Sequence, residues 1–186
     1  MVVLLSGGLD SMVVAERARV AGALVGCVFV DYGHPAQQQE GWRAFAYCGE
    51  RGVPLRVVHA FGLDLGDMGA AVGARVVPCR NAVLLSVAAN AARLLGGTEL
   101  AIGAIANDQR DYSDCRPEFF AAMSIALGVS VTAPLVAWTK REVVVEAVRL
   151  GLRPSDAWSC YGPGPIACGA CPSCLERDGA LAERAP

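Results

Sequence analysis

The sequence predicts an α/β protein, a five-stranded parallel sheet flanked by helices, with a small cysteine-bearing segment at its C-terminal end. Three observations predict it. Short apolar runs alternate with longer helix-forming stretches, as in a parallel sheet covered on both faces. The first run passes directly into a glycine-rich loop. Four cysteines at metal-ligand spacing stand near the end.

Residues 1–5 form a buried strand that leads into Ser6, Gly7, Gly8, Leu9, Asp10 and Ser11, and a helix opens at Ser11 and runs through Arg17. Two consecutive glycines bring backbone N–H groups close to a ligand. Two serine hydroxyls add donors, and the helix N-terminus adds a positive dipole end, which together make a phosphate or pyrophosphate site. An ordinary strand-to-helix turn uses the same residue types. The Gly-Lys-Ser/Thr ending of a Walker loop is absent.

A second strand covers residues 23–30 and ends in Asp31-Tyr32-Gly33, and a helix from about Pro35 to Arg51 carries Pro near its first turn. Residues 54–58 are a third strand, and 61–74, rich in glycine, form a loop. Arg80 and Asn81 open a long Ala/Leu/Val helix that Gly96-Gly97 stops. Residues 99–104 are the fourth strand, followed by a polar loop with Asn107, Asp108, Arg110 and Asp111. A helix starts near Pro117, and residues 129–133 are the fifth strand. Another helix starts at residues 139–142, with Thr139 as its cap candidate and Lys140 in its first turn, and closes at Gly151. In such a sheet ligands lie at the carboxyl ends of strands, near a switch in strand order. The glycine loop, Asp31-Tyr32-Gly33 and the segment after Ile102 can therefore line one crevice.

The chain has 186 residues, 54% of them hydrophobic, and a formal charge of −2. This suits one folded domain, residues 1–186, with an α/β core at 1–152 and a metal-binding segment at 153–186. It argues against a disordered tail and disfavours nucleic acid as a partner. The first residues have no basic region and Asp10 interrupts their apolar run, unlike a signal peptide. No run of about 18 uncharged apolar residues predicts a membrane span. The expected location is the cytoplasm, where eight cysteines serve as thiols and metal ligands in preference to disulfides.

Cys160, Cys168, Cys171 and Cys174 have the spacing C-x7-C-x2-C-x2-C. Four thiolates satisfy tetrahedral Zn²⁺ with no open position, the form of a structural site. An iron–sulfur cluster is the rival, since ferredoxins share C-x2-C-x2-C, but here the fourth cysteine lies upstream and no Cys-Pro follows at the expected place. Cys27 and Cys48 fall inside a strand and a helix and are expected to be buried and apolar in character. Cys79 and Cys115 each adjoin an arginine at an element boundary, where inert thiols outnumber nucleophiles.

With these pieces assembled, the sequence resembles the 7-cyano-7-deazaguanine synthase (QueC/ExsB) family of the N-type ATP pyrophosphatase superfamily. The likeness runs over nearly the whole chain, through Ser6–Ser11, Asp31-Tyr32-Gly33, Val77-Pro78-Cys79-Arg80-Asn81, Asp114-Cys115-Arg116-Pro117-Glu118-Phe119, Lys140, and Trp158 through Cys174 to Arg177. It implies an adenine nucleotide alpha hydrolase-like (HUP) fold and an ATP-dependent C–N ligase and nitrile synthase. A 7-carboxy-7-deazaguanine, a deazapurine acid, would react with ammonia through adenylylated carboxylate and amide intermediates.

The resemblance assigns Ser6, Gly7, Gly8, Leu9, Asp10, Ser11, Asp31 and Tyr32 to ATP. Asp10 orients Mg²⁺, Lys140 offsets phosphate charge, and Arg80, Asn81, Asp114, Arg116 and Glu118 recognise the acid, with Arg116 on its carboxylate. It also implies a homodimer. The family's Asp-Tyr-Gly-Gln-Arg-His is here Asp31-Tyr32-Gly33-His34-Pro35-Ala36, its Gly before Arg-Asn is Cys79, and the stretch between Val58 and Val76 is short. These departures leave room for a relative that stops at the amide or ligates a deazapurine acid to another amine. A different N-type ATP pyrophosphatase, such as a tRNA-modifying enzyme, is the further alternative.

Overall fold

The computed structural model describes residues 1–60 and 77–182; the loop expected at 61–74 lies outside the described residues. Five strands form one sheet: β1 (Val2–Leu4), β2 (Gly26–Asp31), β3 (Leu55–His59), β4 (Glu99–Ile102) and β5 (Ser130–Thr132). Their order is β3-β2-β1-β4-β5 and every pairing is parallel, as expected. The chain builds outward from β1 on one side through β2 and β3, then crosses to the other side for β4 and β5. The switch therefore lies beside β1, directly below the glycine loop.

Successive side chains of a strand point to opposite faces, so the continuous apolar runs are two-sided. Val3, Leu5, Cys27, Phe29 and Ala101 face one core with Val13, Tyr47 and Val143. That core is covered by α1 (Leu9–Val20), α2 (Gln37–Arg51), α6 (Lys140–Arg149) and α7 (Pro172–Ala182). Val2, Leu4, Val28, Val30 and Leu100 face the other, with Leu85 and Phe120 of α3 (Arg80–Leu94) and α5 (Pro117–Leu127). Cys27 and Cys48 are buried, as their placement in a strand and a helix predicted.

Local chemistry sets several boundaries. Thr139 and Glu142 form a complete capping box at α6: the Glu142 N–H donates to Thr139 Oγ1 at 3.3 Å, and the Thr139 N–H to Glu142 Oε2 at 2.7 Å. Gly52 and Gly128 end α2 and α5 in the left-handed conformation. Helix α1 begins two residues earlier than Ser11, so Asp10 and Ser11 sit in its first turn. The polar loop after β4 contains a one-turn helix, α4 (Asp108–Asp111), held where the Asp108 carboxylate accepts from the Ile105 N–H at 2.9 Å. Helix α7 was not anticipated, because the cysteine spacing dominated that stretch; Pro172 at its start was the available signal.

Candidate functional site

A cleft of about 220 Å³ opens at the carboxyl ends of β1, β2 and β4. Its floor is the glycine loop. Gly7 has φ +79°, and a side chain there would run into the Glu40 carbonyl, so only glycine lets the loop pass this close to α2. Gly103 plays the same part on the other side, where a Cβ would collide with the Ser11 backbone. The Ser11 hydroxyl donates to the Gly8 carbonyl at 2.9 Å and lies 3.1 Å from Ser6 Oγ. The Trp158 N–H donates to the Gly7 carbonyl at 2.9 Å, fastening the C-terminal segment to the loop.

Asp10 projects from the first turn of α1 and meets Lys140 from the first turn of α6, 130 residues away in sequence. The Lys140 ammonium donates to both carboxylate oxygens, at 2.8 and 2.7 Å. Glu176 of α7 is 4.0 Å from the same ammonium. Burial alone would lower the Lys140 pKa, but Asp10, with Glu176 and Asp108, holds it above the ordinary lysine value. Asp108 is also shifted upward, by burial first and by the neighbouring Asp10. Lys140 is thus held in its charged form beside the phosphate loop, with carboxylates around it.

The opposite wall is aromatic and carries one arginine. Tyr32 and His34 stack with centroids 4.4 Å apart and planes 13° from parallel, and Tyr112, Trp158 and Tyr161 also line the cleft. Arg80 lines the same wall, near enough for its positive charge to bear on the Tyr32 phenol. Burial pushes the Tyr32 phenol up to about 12. No carboxylate lies within 4.0 Å of the Arg80 guanidinium among the described residues.

The other expected substrate residues are placed differently. The Asn81 N–H donates to Asp114 Oδ2 at 3.0 Å and the Asn81 amide to the Asp114 carbonyl at 3.0 Å, so this pair ties the start of α3 to the turn at Ser113–Cys115. Asn81 still lines the cleft, whereas Asp114 does not. Arg116 and Glu118 are exposed and outside the lining, and Arg116 Nε donates to the Gln109 carbonyl at 3.1 Å. Asp31 also stays outside; it accepts from the Gly33 N–H at 3.1 Å and lies 3.3 Å from His59 Nδ1. Burial pushes the Cys115 thiol up to about 12, which makes it a poor nucleophile at neutral pH. Sequence reasoning missed Glu40 and Glu176 as lining residues; Glu40 arrives on α2, which packs against the loop at Gly7, and Glu176, although inside the family-like string that ends at Arg177, arrives on α7, which the cysteine spacing had obscured.

Behind Trp158, the sulfur atoms of Cys160, Cys168, Cys171 and Cys174 lie within 4.8 Å of one another. The Gly162 and Cys168 N–H groups donate to Cys160 Sγ at 3.3 Å, and the Cys174 N–H to Cys171 Sγ at 3.4 Å. Backbone amides of Ala170 and Cys171 bring the Cys168 thiol down to about 6. Burial and the adjacent Cys171 push Cys174 up to about 12. A cation is the partner that lets all four ionise, and the described residues hold a four-cysteine metal-binding group.

The sheet order, the glycine loop and the cleft above it define an HUP-type nucleotide-binding fold. Solved structures agree in fold: the U34-tRNA thiolase NcsA from Methanococcus maripaludis superposes with TM-score 0.58 at 18% identity, over 98% of this chain and 64% of that one. NMN synthetase from Francisella tularensis superposes with TM-score 0.57 at 14% identity, over 100% and 78%. The chain belongs to the queuosine biosynthesis protein QueC family, whose model matches residues 1–185. It is 37% identical to the 7-cyano-7-deazaguanine synthase of Koribacter versatilis (strain Ellin345) over 204 residues, 95% of this chain and 86% of the relative. It is 35% identical to that of Thermoplasma acidophilum, over 95% and 84%.

Proposed function

We propose that the protein converts 7-carboxy-7-deazaguanine, ammonia and ATP to 7-cyano-7-deazaguanine. The observation that carries this reading is one cleft with a pyrophosphate-type loop and fixed cation on one wall, and an arginine among stacked aromatic rings on the other. A planar heterocycle that bears a carboxylate fits the second wall, and the triphosphate fits the first.

A carboxylate resists attack by ammonia, so its oxygen first displaces pyrophosphate from ATP. Ser6, Gly7, Gly8 and Ser11 offer N–H and hydroxyl donors to the departing pyrophosphate, and Lys140 offsets its charge. Ammonia then forms the C–N bond as the C–O bond to AMP breaks, AMP leaving with the electron pair and one ammonia proton being released. The amide oxygen is adenylylated in turn. Loss of the nitrogen-bound protons and of a second AMP gives the nitrile, so both carboxyl oxygens end on AMP.

The carboxylate is assigned to Arg80 in preference to Arg116, because Arg80 faces the cleft and Arg116 does not. Asn81 lies next to Arg80 for the base edge, with Asp114 behind it as a positioning residue, and Glu118 is left without a contact in this scheme. Mg²⁺ fits the hard oxygen donors of Asp10 and Asp108, and it would supply further positive charge to the phosphates. For the cysteine group we infer Zn²⁺: thiolates roughly 2.3 Å from one ion stand about 3.8 Å apart, which the sulfur separations of at most 4.8 Å accommodate. Residues 153–186 would then form a metal-braced segment of a single domain, joined to the 1–152 core through Trp158 and α7. No described helix is long and apolar enough to cross a membrane. A cytoplasmic homodimer acting on a small molecule is the arrangement we infer from the family.

Mass spectrometry of a reaction with ATP, Mg²⁺, ammonium and the acid tests the reading, with AMP, pyrophosphate and nitrile expected. Accumulation of the amide would mark a relative that stops halfway, and absence of pyrophosphate with any deazapurine acid would refute the reading. Arg80→Ala should raise KM for the acid while Arg116→Ala leaves it near wild type. A brown protein absorbing in the visible, as iron–sulfur thiolate clusters do, would overturn zinc.

A further inference from the structure

Asn81 is 4% exposed, yet it lines the cleft in the first turn of α3. Its side-chain nitrogen donates to the Asp114 carbonyl at 3.0 Å and to Cys115 Sγ at 3.3 Å. A backbone carbonyl only accepts, so the amide sits one way round, its nitrogen toward Asp114 and its oxygen away. Both Nδ2 protons are spent on these contacts. The Asn81 N–H donates to Asp114 Oδ2 at 3.0 Å and locks the backbone as well. Asn81 Oδ1 has no hydrogen-bond partner among the described residues, and it is not one of the unpartnered side-chain atoms closed to solvent.

This amide therefore offers the cleft one group, a fixed and uncharged acceptor. An ionised carboxylate or phosphate would face it oxygen to oxygen, so those groups suit Arg80 and the glycine loop. An N–H donor suits Asn81. In the proposed reaction, on which this inference rests, the acid carries its carboxylate at C7 beside the ring carbonyl at C6, and both are acceptors. The next groups round that edge are N1–H and the 2-amino group, and both are donors. Arg80 and Asn81 are consecutive and line the same cleft, and a donor followed by an acceptor is the complement of that edge.

We propose that Asn81 Oδ1 is the specificity-determining acceptor for the lactam edge of the heterocycle, taking a hydrogen bond from N1–H or the 2-amino group and so selecting a guanine-type acid over an adenine-type one. In the adenine-type acid N1 is a lone pair and the 2-amino group is absent. The buried oxygen then faces a second acceptor or stays unpaired, which is the costly case. Asp114 lies outside the cleft lining and is the positioning residue that keeps the amide oxygen outward.

The test uses full-length, metal-loaded protein. Dissociation constants of 7-carboxy-7-deazaguanine, of 7-carboxy-7-deazaadenine and of ATP are measured by calorimetry in wild type, Asn81→Ala, Asn81→Leu and Asp114→Ala, with thermal melts alongside. One hydrogen bond to a buried acceptor predicts a wild-type preference of about tenfold or more for the guanine-type acid, and a loss of about tenfold of that preference in the Asn81 variants. Asp114→Ala removes the Oδ2 contact but keeps the carbonyl, so it should lose part of the preference with ATP binding unchanged. Equal affinity of the wild type for the two acids would overturn the proposal, as would an unchanged ratio in the Asn81 variants or an effect confined to ATP. Where melts show the Asn81 variants unfolded, Asp114→Ala decides, and an unchanged ratio there overturns the proposal. Failure of the wild type to bind either acid or to release pyrophosphate would instead refute the proposed reaction, and this inference with it.

Discussion

Replacing Asp10 by Asn removes one charge from the Lys140 pair with almost no change in volume. Gross Coulomb attraction at 2.7 Å is roughly 6 kcal/mol at an effective dielectric constant of 20, against roughly 4 kcal/mol for the 4.0 Å contact to Glu176 that remains. Glu176 stays in place in both forms, so only the Asp10 attraction is lost, offset by the desolvation that a neutral amide avoids; a net loss of about 2 kcal/mol is expected, below the ~3–5 kcal/mol of a fully buried broken pair. That is reasonable, because the Asp10 and Lys140 side chains retain 21% and 13% of their exposure. Urea denaturation of Asp10→Asn, Lys140→Met and the double variant should yield a coupling of about 2 kcal/mol. The Lys140 pKa is raised in the folded chain above the ordinary lysine value of 10.5, so its contribution is complete just below that pH and disappears as pH rises through the folded value. Additive single effects, within about 0.5 kcal/mol, would refute the argument that the two residues act as one unit. Turnover should be abolished in Asp10→Ala with its metal content intact; retained turnover would remove Asp10 from the mechanism.

Cys171→Ser should lose the bound metal and much of the soluble yield, since metal affinity here is folding free energy; metal analysis and a thermal melt check it. Cys79, at φ +56°, is the one non-glycine residue in the left-handed region among the described residues, so Cys79→Gly should gain about 0.5–1 kcal/mol by chemical denaturation. Glu16 is 3% exposed and accepts from the Tyr47 hydroxyl at 2.9 Å and from Arg51 Nε at 3.1 Å. Glu16→Gln should cost about 2 kcal/mol at pH 7. Burial works to raise the Glu16 pKa, but Arg19, Tyr47 and Arg51 outweigh it and hold it below 4.5. The difference between wild type and Glu16→Gln should therefore persist above pH 4.5 and shrink in stability measurements as pH falls below it.

The fold was legible because its signals are local. Two-sided apolar runs such as 26–30 leave a strand no polar face, and the Gly7-Gly8 pair between a strand and a helix admits few backbones. The four cysteines announce their cluster by spacing, and Thr139 with Glu142 announces the cap of α6. Helix α7 and α4 were missed because a metal knuckle and a polar loop each offered a sufficient account of the same residues.

What the sequence by itself determined is therefore the parallel sheet, the phosphate loop at its switch point, and which cysteines gather. Tertiary structure alone decided which charged side chains reach the cleft. Asp10 and Lys140 meet across 130 positions because α1 and α6 pack side by side. Arg80 turns inward at the start of α3 while Arg116 turns out to the Gln109 carbonyl. Glu40 and His34 enter because the chain at Gly7 passes close enough to touch α2. Residue type and spacing carry no record of such meetings, which depend on helix packing angles and on the close approach of two backbones.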